Sequence, residues 1–177
     1  PEQEEKKTES KEAEKTQQNN TKPLVEKIEL CAPVSGTVKA LSDVPDKTFA
    51  EKVLGDGAAI IPEEGKVYAP ADGTVANIMD SKHGIMFVTD NGAEVLIHIG
   101  LDTVNLKGKY FKSYVSDGDK VKKGTLLVEF DLEAIKGEGY NLITPMVVTN
   151  ISDYIKAVCM EKENTAINAG DKFLTVV

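Results

Sequence analysis

Two histidines, His83 and His98, are the only imidazoles in this chain of 177 residues. Imidazole titrates near neutral pH. As the free base one of its nitrogens is a nucleophile, and a neighbouring ring can hydrogen-bond an anion. Two such rings on one face would let one carry the chemistry while the other steadies a bound anion. The plain alternative is two unrelated surface histidines.

His98 lies in Glu94-Val95-Leu96-Ile97-His98-Ile99-Gly100-Leu101. Val95, Ile97, Ile99 and Leu101 alternate with Glu94, Leu96, His98 and Gly100, the period of a strand with one buried face. The apolar set is expected in the core, so His98 should face outward. The run from Gly84 to Val88 also reads as a strand, and Asn91-Gly92 between the two runs is a hairpin signal. With Asn91 and Gly92 as the turn centre, residue 85 lies opposite 98 and 83 opposite 100. His83 then shares the face of His98 as its diagonal neighbour, with Cβ atoms roughly 7–8 Å apart. A three-residue loop would send His83 to the other face. The same register places Ile85, Phe87 and Leu96 around His98 as an apolar patch, the usual mark of a docking surface. Gly100, opposite His83, leaves room for something to approach. Ser81 falls on the same face and is placed to fix the tautomer of His83.

Two histidines are also half a zinc site. Asp102 offers one further ligand, but no HxH or HExxH spacing is present, so no intrinsic zinc is expected. A zinc at His83 and His98 would need a ligand from a partner protein. No GxxxxGK[ST] and no GxGxxG opens a helix, so the glycines do not form a nucleotide site. Gly55-Asp56-Gly57 and Gly137-Glu138-Gly139 read as turns.

The elements that must position the histidines are β-strands. From Pro23 onward, short alternating runs are separated by Gly, Pro, Asp and Asn. Strands are expected near 27–31, 36–40, 58–61, 66–69, 73–79, 84–89, 94–99, 110–115, 126–130, 143–149, 165–168 and 172–177. Short helical turns are expected at Asp43–Phe49, at Asp131–Lys136 with Asp131 as cap, and at Asp153–Met160. Ala32-Pro33-Val34-Ser35-Gly36-Thr37-Val38 returns as Ala69-Pro70-Ala71-Asp72-Gly73-Thr74-Val75, each glycine allowing a tight turn into a strand. Gly118 to Gly124 reads as a turn-rich connection. The expected class is all-β, an antiparallel sandwich or barrel with a duplicated motif.

Residues 1–22 hold six Glu and five Lys and almost no apolar side chain, so they read as a disordered charged linker before a domain at 23–177. The net charge of −8 argues against nucleic acid and anionic membrane surfaces as partners. No apolar run approaches the roughly 20 residues of a membrane-spanning helix. Cys31 and Cys159 stand in no CxxC spacing and are expected reduced and buried, which points to the cytoplasm. The start at Pro1 suggests a piece of a longer polypeptide.

Several stretches together resemble the glucose-type enzyme IIA domain of the bacterial sugar phosphotransferase system. They are Ala32-Pro33-Val34-Ser35-Gly36, Val44-Pro45-Asp46 with Phe49-Ala50-Glu51-Lys52, Gly55-Asp56-Gly57, Ala69-Pro70-Ala71-Asp72-Gly73-Thr74, Ile97-His98-Ile99-Gly100-Leu101-Asp102-Thr103-Val104-Asn105-Leu106-Lys107-Gly108 and Val128-Glu129-Phe130-Asp131. The resemblance spans about residues 27–177, and its most specific part is His98 to Gly108 with His83 ahead of it. It implies a β-sandwich and a phosphotransferase role with no required cofactor. His98 would accept a phosphoryl group on Nε2 from the phosphocarrier HPr and pass it to a cysteine of a IIB domain for sugar uptake. His83 would hydrogen-bond the phosphate, and Ser81, where the family usually has Thr, would orient His83. Asp46 and Asp102 match acidic positions at the site's rim. Phe49, Leu96 and Met79 match its docking patch, with Leu96 where an aromatic is common. Some members bind zinc through both histidines and a partner's carboxylate. The charged linker, in place of the amphipathic anchor of some free-standing members, suggests a domain attached to a membrane permease.

Three other readings compete. One is a regulatory module whose phosphorylation at His98 controls a transporter or enzyme. Carriers of biotin or lipoate need a hairpin-tip lysine, which residues 89–93 lack. Zinc peptidases need an HxH spacing, which is absent.

Overall fold

The two Ala-Pro segments meet each other in space, and the architecture is built around that meeting. The computed structural model describes residues 27–177, so the expected linker at 1–22 lies outside the described residues. The backbone N–H of Cys31 donates to the Pro70 carbonyl, and that of Tyr68 donates to the Pro33 carbonyl, both at 2.8 Å. Cys31 and Tyr68, like Pro33 and Pro70, are separated by the offset of 37 that separates Ala32 from Ala69. The two bonds are therefore equivalents across a local two-fold.

Among the described residues, fourteen strands follow from this frame. β1 (Ile28–Cys31), β2 (Gly36–Ala40) and β3 (Asp56–Pro62) belong to one half. β4 (Lys66–Tyr68), β5 (Gly73–Ile78) and β6 (Gly84–Thr89) are their counterparts. β7 (Glu94–His98) follows β6, and β11 (Thr144–Val148) takes the matching place beside β3. β8 (Phe111–Ser113), β9 (Lys120–Val121) and β10 (Leu126–Phe130) recur 46 residues later as β12 (Ala157–Cys159), β13 (Ala166–Ile167) and β14 (Lys172–Val176). The pairings repeat residue by residue. Leu126 lies opposite Tyr68 and Lys172 opposite Cys31, each beside a register slip. One eight-stranded sheet runs β13-β2-β3-β11-β7-β6-β5-β9, and two three-stranded sheets, β1-β14-β12 and β4-β10-β8, complete the sandwich. All pairings are antiparallel, as expected.

The glycines of the repeat serve close approach rather than a turn, for neither has positive φ. A Cβ on Gly36 would lie 1.9 Å from the Ile61 carbonyl oxygen, and one on Gly73 would lie 2.2 Å from that of Val88. Backbone cannot yield as a side-chain tip can. Gly73→Ala should therefore cost about 1–3 kcal/mol, read as a lower urea midpoint with unchanged slope.

Alternation sorts the eight-stranded sheet. Ile60, Ile85, Phe87, Val95, Ile97, Met146 and Val148 face the main core. Ala59, Leu96 and Val147 face the other way and are roofed by Leu41, Val44 and Phe49. The roof segment holds a 3-10 turn, Leu41–Asp43, and a short helix, Lys47–Ala50, which overlap the stretch expected to turn. The helix Leu132–Gly137 is capped by Asp131, whose carboxylate accepts from the Ala134 N–H at 3.1 Å. The third expected helix, Asp153–Met160, does not form. A 3-10 turn ends at Asp153 and β12 follows, because Ala157–Cys159 pairs with β14. The connection at 118–124 carries β9, a short edge strand that pairs with β5.

The β6–β7 register differs from expectation by one residue. The Thr89 N–H donates to the Ala93 carbonyl at 2.9 Å, so Asp90–Gly92 is a three-residue loop, and within it only Gly92 has positive φ. Ile85 then pairs with Ile97 and Phe87 with Val95. Both side chains turn into the core and are fully buried, so neither is a docking residue. Leu101 also departs from its expected face. Gly100 at φ 74 turns the chain out of the strand, and Leu101 packs in the roofed cluster beside Leu96.

Cys31 and Cys159 are free thiols, Cys31 buried and Cys159 only half-buried. Among the described residues, no helix is long and apolar enough to cross a membrane.

Candidate functional site

β7 ends at His98, and β6 begins one residue after His83, so both imidazoles lie at one end of the hairpin. The turn before β6 is tight. Lys82 sits at φ 60, its N–H donates to the Met79 carbonyl at 2.7 Å, and the strand alternation stops before His83. His83 lies in this bend, just outside the regular strand. Its carbonyl accepts the Ile99 N–H at 2.7 Å, which ties its backbone to the segment after His98. The two rings meet edge to face, with centroids 4.9 Å apart and planes at 84°. Phe49 covers the other side of His98, with a centroid distance of 5.2 Å and planes at 57°.

The protonation of His98 follows from one contact. Its Nδ1 lies 2.6 Å from the Gly100 carbonyl oxygen. A carbonyl only accepts, so Nδ1 carries the hydrogen and Nε2 carries the lone pair. Gly100 can aim its carbonyl back because it is left-handed, and there is no space for a side chain. A Cβ would lie 2.8 Å from Thr103 Cγ2 and 3.0 Å from the Asn141 carbonyl oxygen. Gly100 is thus buried and packed, and does not leave the opening expected of it.

Burial lowers the pKa of His98. The Gly100 hydrogen bond, then the charges of Asp46 and Asp102, act against that shift without reversing it. His83 is only 4% exposed. Burial, and then repulsion from His98, push its pKa down to about 4. Both rings are neutral at pH 7, and a neutral His98 is a nucleophile.

The remaining expected residues divide. Asp46 caps the Lys47–Ala50 helix, its carboxylate accepting from the Thr48 N–H at 2.9 Å. That helix carries Phe49. Asp102, at φ 59, precedes a 3-10 turn, Thr103–Leu106. Both carboxylates are close enough for their charge to act on His98. Ser81 lies in the turn before His83, half-buried, but makes no hydrogen bond to it. His83 Nδ1 is buried with no partner. Met79 packs half-buried against the roofed cluster, together with Met86, which the sequence reading did not single out. Met86 takes the place opposite Leu96 that the one-residue register change vacated. Phe49 and Leu96 are on the side of His98 but are 3% and 5% exposed, so they form its floor rather than a contact surface. The apolar side chains that do reach solvent nearby are Val53, 69% exposed, just beyond the Phe49 helix, and Val104, 50% exposed, in the turn after Asp102. Neither was singled out from the sequence. The pair Val53-Leu54 ahead of Gly55-Asp56-Gly57, two apolar residues at a turn, was the available signal.

Among the described residues, no group of three or more His, Cys, Asp or Glu side chains is placed to hold a metal ion. Among the described residues, one groove lies by Thr89–Asn91, at the opposite tip of the β6–β7 hairpin. His98 itself is half-buried at the end of β7.

The chain is similar to several known proteins. The family model for the phosphoenolpyruvate-dependent sugar phosphotransferase system, EIIA 1, matches residues 28–154. The chain is 53% identical over 123 residues to the PTS system beta-glucoside-specific EIIBCA component of Bacillus subtilis (strain 168), covering 70% of this chain and 20% of that protein. It is 46% identical over 146 residues to the PTS system glucose-specific EIIA component of Halalkalibacterium halodurans, covering 82% and 83%. The chain therefore spans about a fifth of the length of its EIIBCA relative and most of the EIIA one. The solved structure of glucose permease IIA from Mycoplasma capricolum superposes with a TM-score of 0.76 at 31% identity, over 85% of this chain and 96% of that one.

Proposed function

The chain belongs to the EIIA 1 family of the phosphoenolpyruvate-dependent sugar phosphotransferase system, and from that premise we propose that residues 23–177 form a phosphoryl-carrier domain with His98 as the acceptor. The observation that carries the reading is the Nδ1 contact to the Gly100 carbonyl, which leaves Nε2 as the nucleophile beside a second neutral imidazole. Nε2 attacks the phosphorus of phospho-HPr. The new N–P bond forms as the donor's bond to phosphorus breaks, and the donor keeps that electron pair. A cysteine thiolate of a IIB domain then attacks the same phosphorus, and the pair returns to Nε2. Relatives named EIIBCA components support a IIB partner held in the same assembly. The domain then works at the cytoplasmic side of a permease to which it is attached or docked.

His83 hydrogen-bonds the phosphoryl oxygens. Asp46 and Asp102 place negative charge at the rim and favour a basic partner surface. Val53 and Val104 join Met79 as its apolar contacts, with Phe49 and Leu96 supporting them from below. No cofactor is needed for either transfer. A zinc at His83 and His98 would require a carboxylate from a partner and would block the nitrogen that carries the phosphoryl group. The test is incubation with phosphoenolpyruvate, enzyme I and HPr, followed by intact mass and mapping. One acid-labile phosphate on His98 is expected, and none on a folded protein refutes the reading.

One substitution probes the second imidazole in two ways. His83→Gln should still accept a phosphoryl group but pass it to IIB about 100-fold more slowly, since one donor to the transferring group is lost. Unimpaired transfer would refute that role. The same variant has a pH signature. The unfolded ring titrates at about 6.5 and the folded one at about 4. Between these values only the unfolded chain takes up the proton, so stability is full above pH 6.5 and falls as pH drops toward 4. The fall approaches about 1.4 kcal/mol per pH unit, and His83→Gln should flatten it.

The orphaned Nδ1 of His83 supports Ser81 as its orienting partner, reached by rotation of the serine side chain. Ser81→Ala should then change the 15N shifts of the His83 ring. Unchanged shifts would leave Ser81 without that task.

A further inference from the structure

The segment that follows His98 is held on several sides, and one side chain with no part in the transfer chemistry, Thr103, touches both Ile99 and Gly100. Ile99 donates its N–H to the His83 carbonyl at 2.7 Å, and its own carbonyl accepts the Thr103 hydroxyl at 2.5 Å. Gly100 turns left-handed at φ 74. Leu101 donates to the Asn141 carbonyl at 2.9 Å, and Asn141 is itself fixed, its side-chain oxygen accepting the Ile143 N–H at 2.9 Å. Thr103 is wholly buried. Its hydroxyl sits on one side of the Ile99–Gly100 peptide, and its methyl fills the space that a side chain on Gly100 would need.

We propose that Thr103 is a positioning residue for His98, acting through the Ile99–Gly100 peptide to keep the Gly100 carbonyl on Nδ1 and Nε2 open. The proposal rests on His98 being the acceptor. A peptide plane has two polar ends, and fixing the carbonyl of residue 99 fixes the start of residue 100. Gly100 lacks a Cβ and so has a broad choice of φ and ψ. Without an anchor it can rotate its carbonyl away from the ring. A neutral imidazole released from that acceptor divides between its two tautomers, and the form with hydrogen on Nε2 has no lone pair there for phosphorus. Thr103 is suited to the task because its two branches do different work. The hydroxyl holds the carbonyl before Gly100, and the methyl restricts Gly100 itself.

Ring 15N shifts of His98 separate this from simple packing. Wild type should show a single neutral form with hydrogen on Nδ1. Thr103→Val keeps the shape but loses the hydroxyl. It should show a mixture of tautomers and a phosphoryl uptake about 10-fold slower at saturating phospho-HPr, with the half-saturating concentration unchanged. Thr103→Ser, which keeps the hydroxyl, should restore the single tautomer and most of the rate. Thr103→Ala gives the same reading as valine if the valine variant does not fold. A folded valine or alanine variant that keeps the pure Nδ1–H form overturns the proposal, whatever its stability. So does a serine variant as mixed as valine. Wild type that shows the tautomer pattern but takes up no phosphoryl group refutes the carrier function while supporting the positioning device.

Discussion

His98→Gln should take up no phosphoryl group above background, a loss of at least about 10⁴-fold, while remaining folded. Glutamine offers an amide nitrogen whose lone pair is delocalised into the carbonyl, so it has the length of histidine without its nucleophile. The fold should tolerate the change. His98 is only partly buried, at the end of its strand, and its side chain makes one hydrogen bond, to Gly100. Labelled phosphoenolpyruvate with enzyme I and HPr provides the assay, and circular dichroism checks the fold. Residual incorporation mapping to His83 would mean that the two rings have exchanged roles. The structure disfavours that outcome, because His83 is the more buried ring and its Nδ1 has no fixed acceptor.

Phe87→Ala should destabilise the protein by about 3–5 kcal/mol and leave partner affinity of the remaining folded protein unchanged. Phe87 is fully buried, pairs across the hairpin with Val95, and lies against Gly73, where an added Cβ would come within 2.8 Å of its ring. No small shift of the strands can fill the space the ring leaves, because backbone already touches its edge. The measurement is a urea midpoint alongside the concentration of phospho-HPr that half-saturates uptake. A lower affinity with unchanged stability would place Phe87 on the surface and reverse the β6–β7 register.

That register marks the boundary of what could be read from the residues alone. The alternation Val95-Leu96-Ile97-His98 identified the inward and outward faces of β7 correctly, since period two is a property of the strand itself. The turn was harder. Asn91-Gly92 suggested a two-residue turn, yet Thr89 accepts the Ala93 N–H with its side chain at 3.0 Å and widens the loop to three residues. One residue of slip moved Ile85 and Phe87 from the expected patch into the core. The same slip should have carried His83 away from His98. His83 nonetheless meets His98, for it lies in the bend before β6, just outside the regular strand. The histidine pair was thus anticipated through an inference with two offsetting departures.

The duplication shows a similar limit. Ala32-Pro33 and Ala69-Pro70 are alike because both must meet the same backbone. β8 and β12 occupy equivalent places as Phe111-Lys112-Ser113 and Ala157-Val158-Cys159, with no residue type in common. Position in an edge strand constrains the backbone and leaves the side chains free, so that half of the symmetry could not be read from residue types.

The pairing of β1 with β14 has a mechanical consequence. Ile28 lies directly opposite Val176, so the first and last strands of the described structure run antiparallel with their outer ends side by side. A load applied across those two ends pulls at right angles to the strands and meets one residue pair at a time. The sandwich should peel open like a zipper at low force, whereas shearing the same strands lengthwise would load all their bonds together.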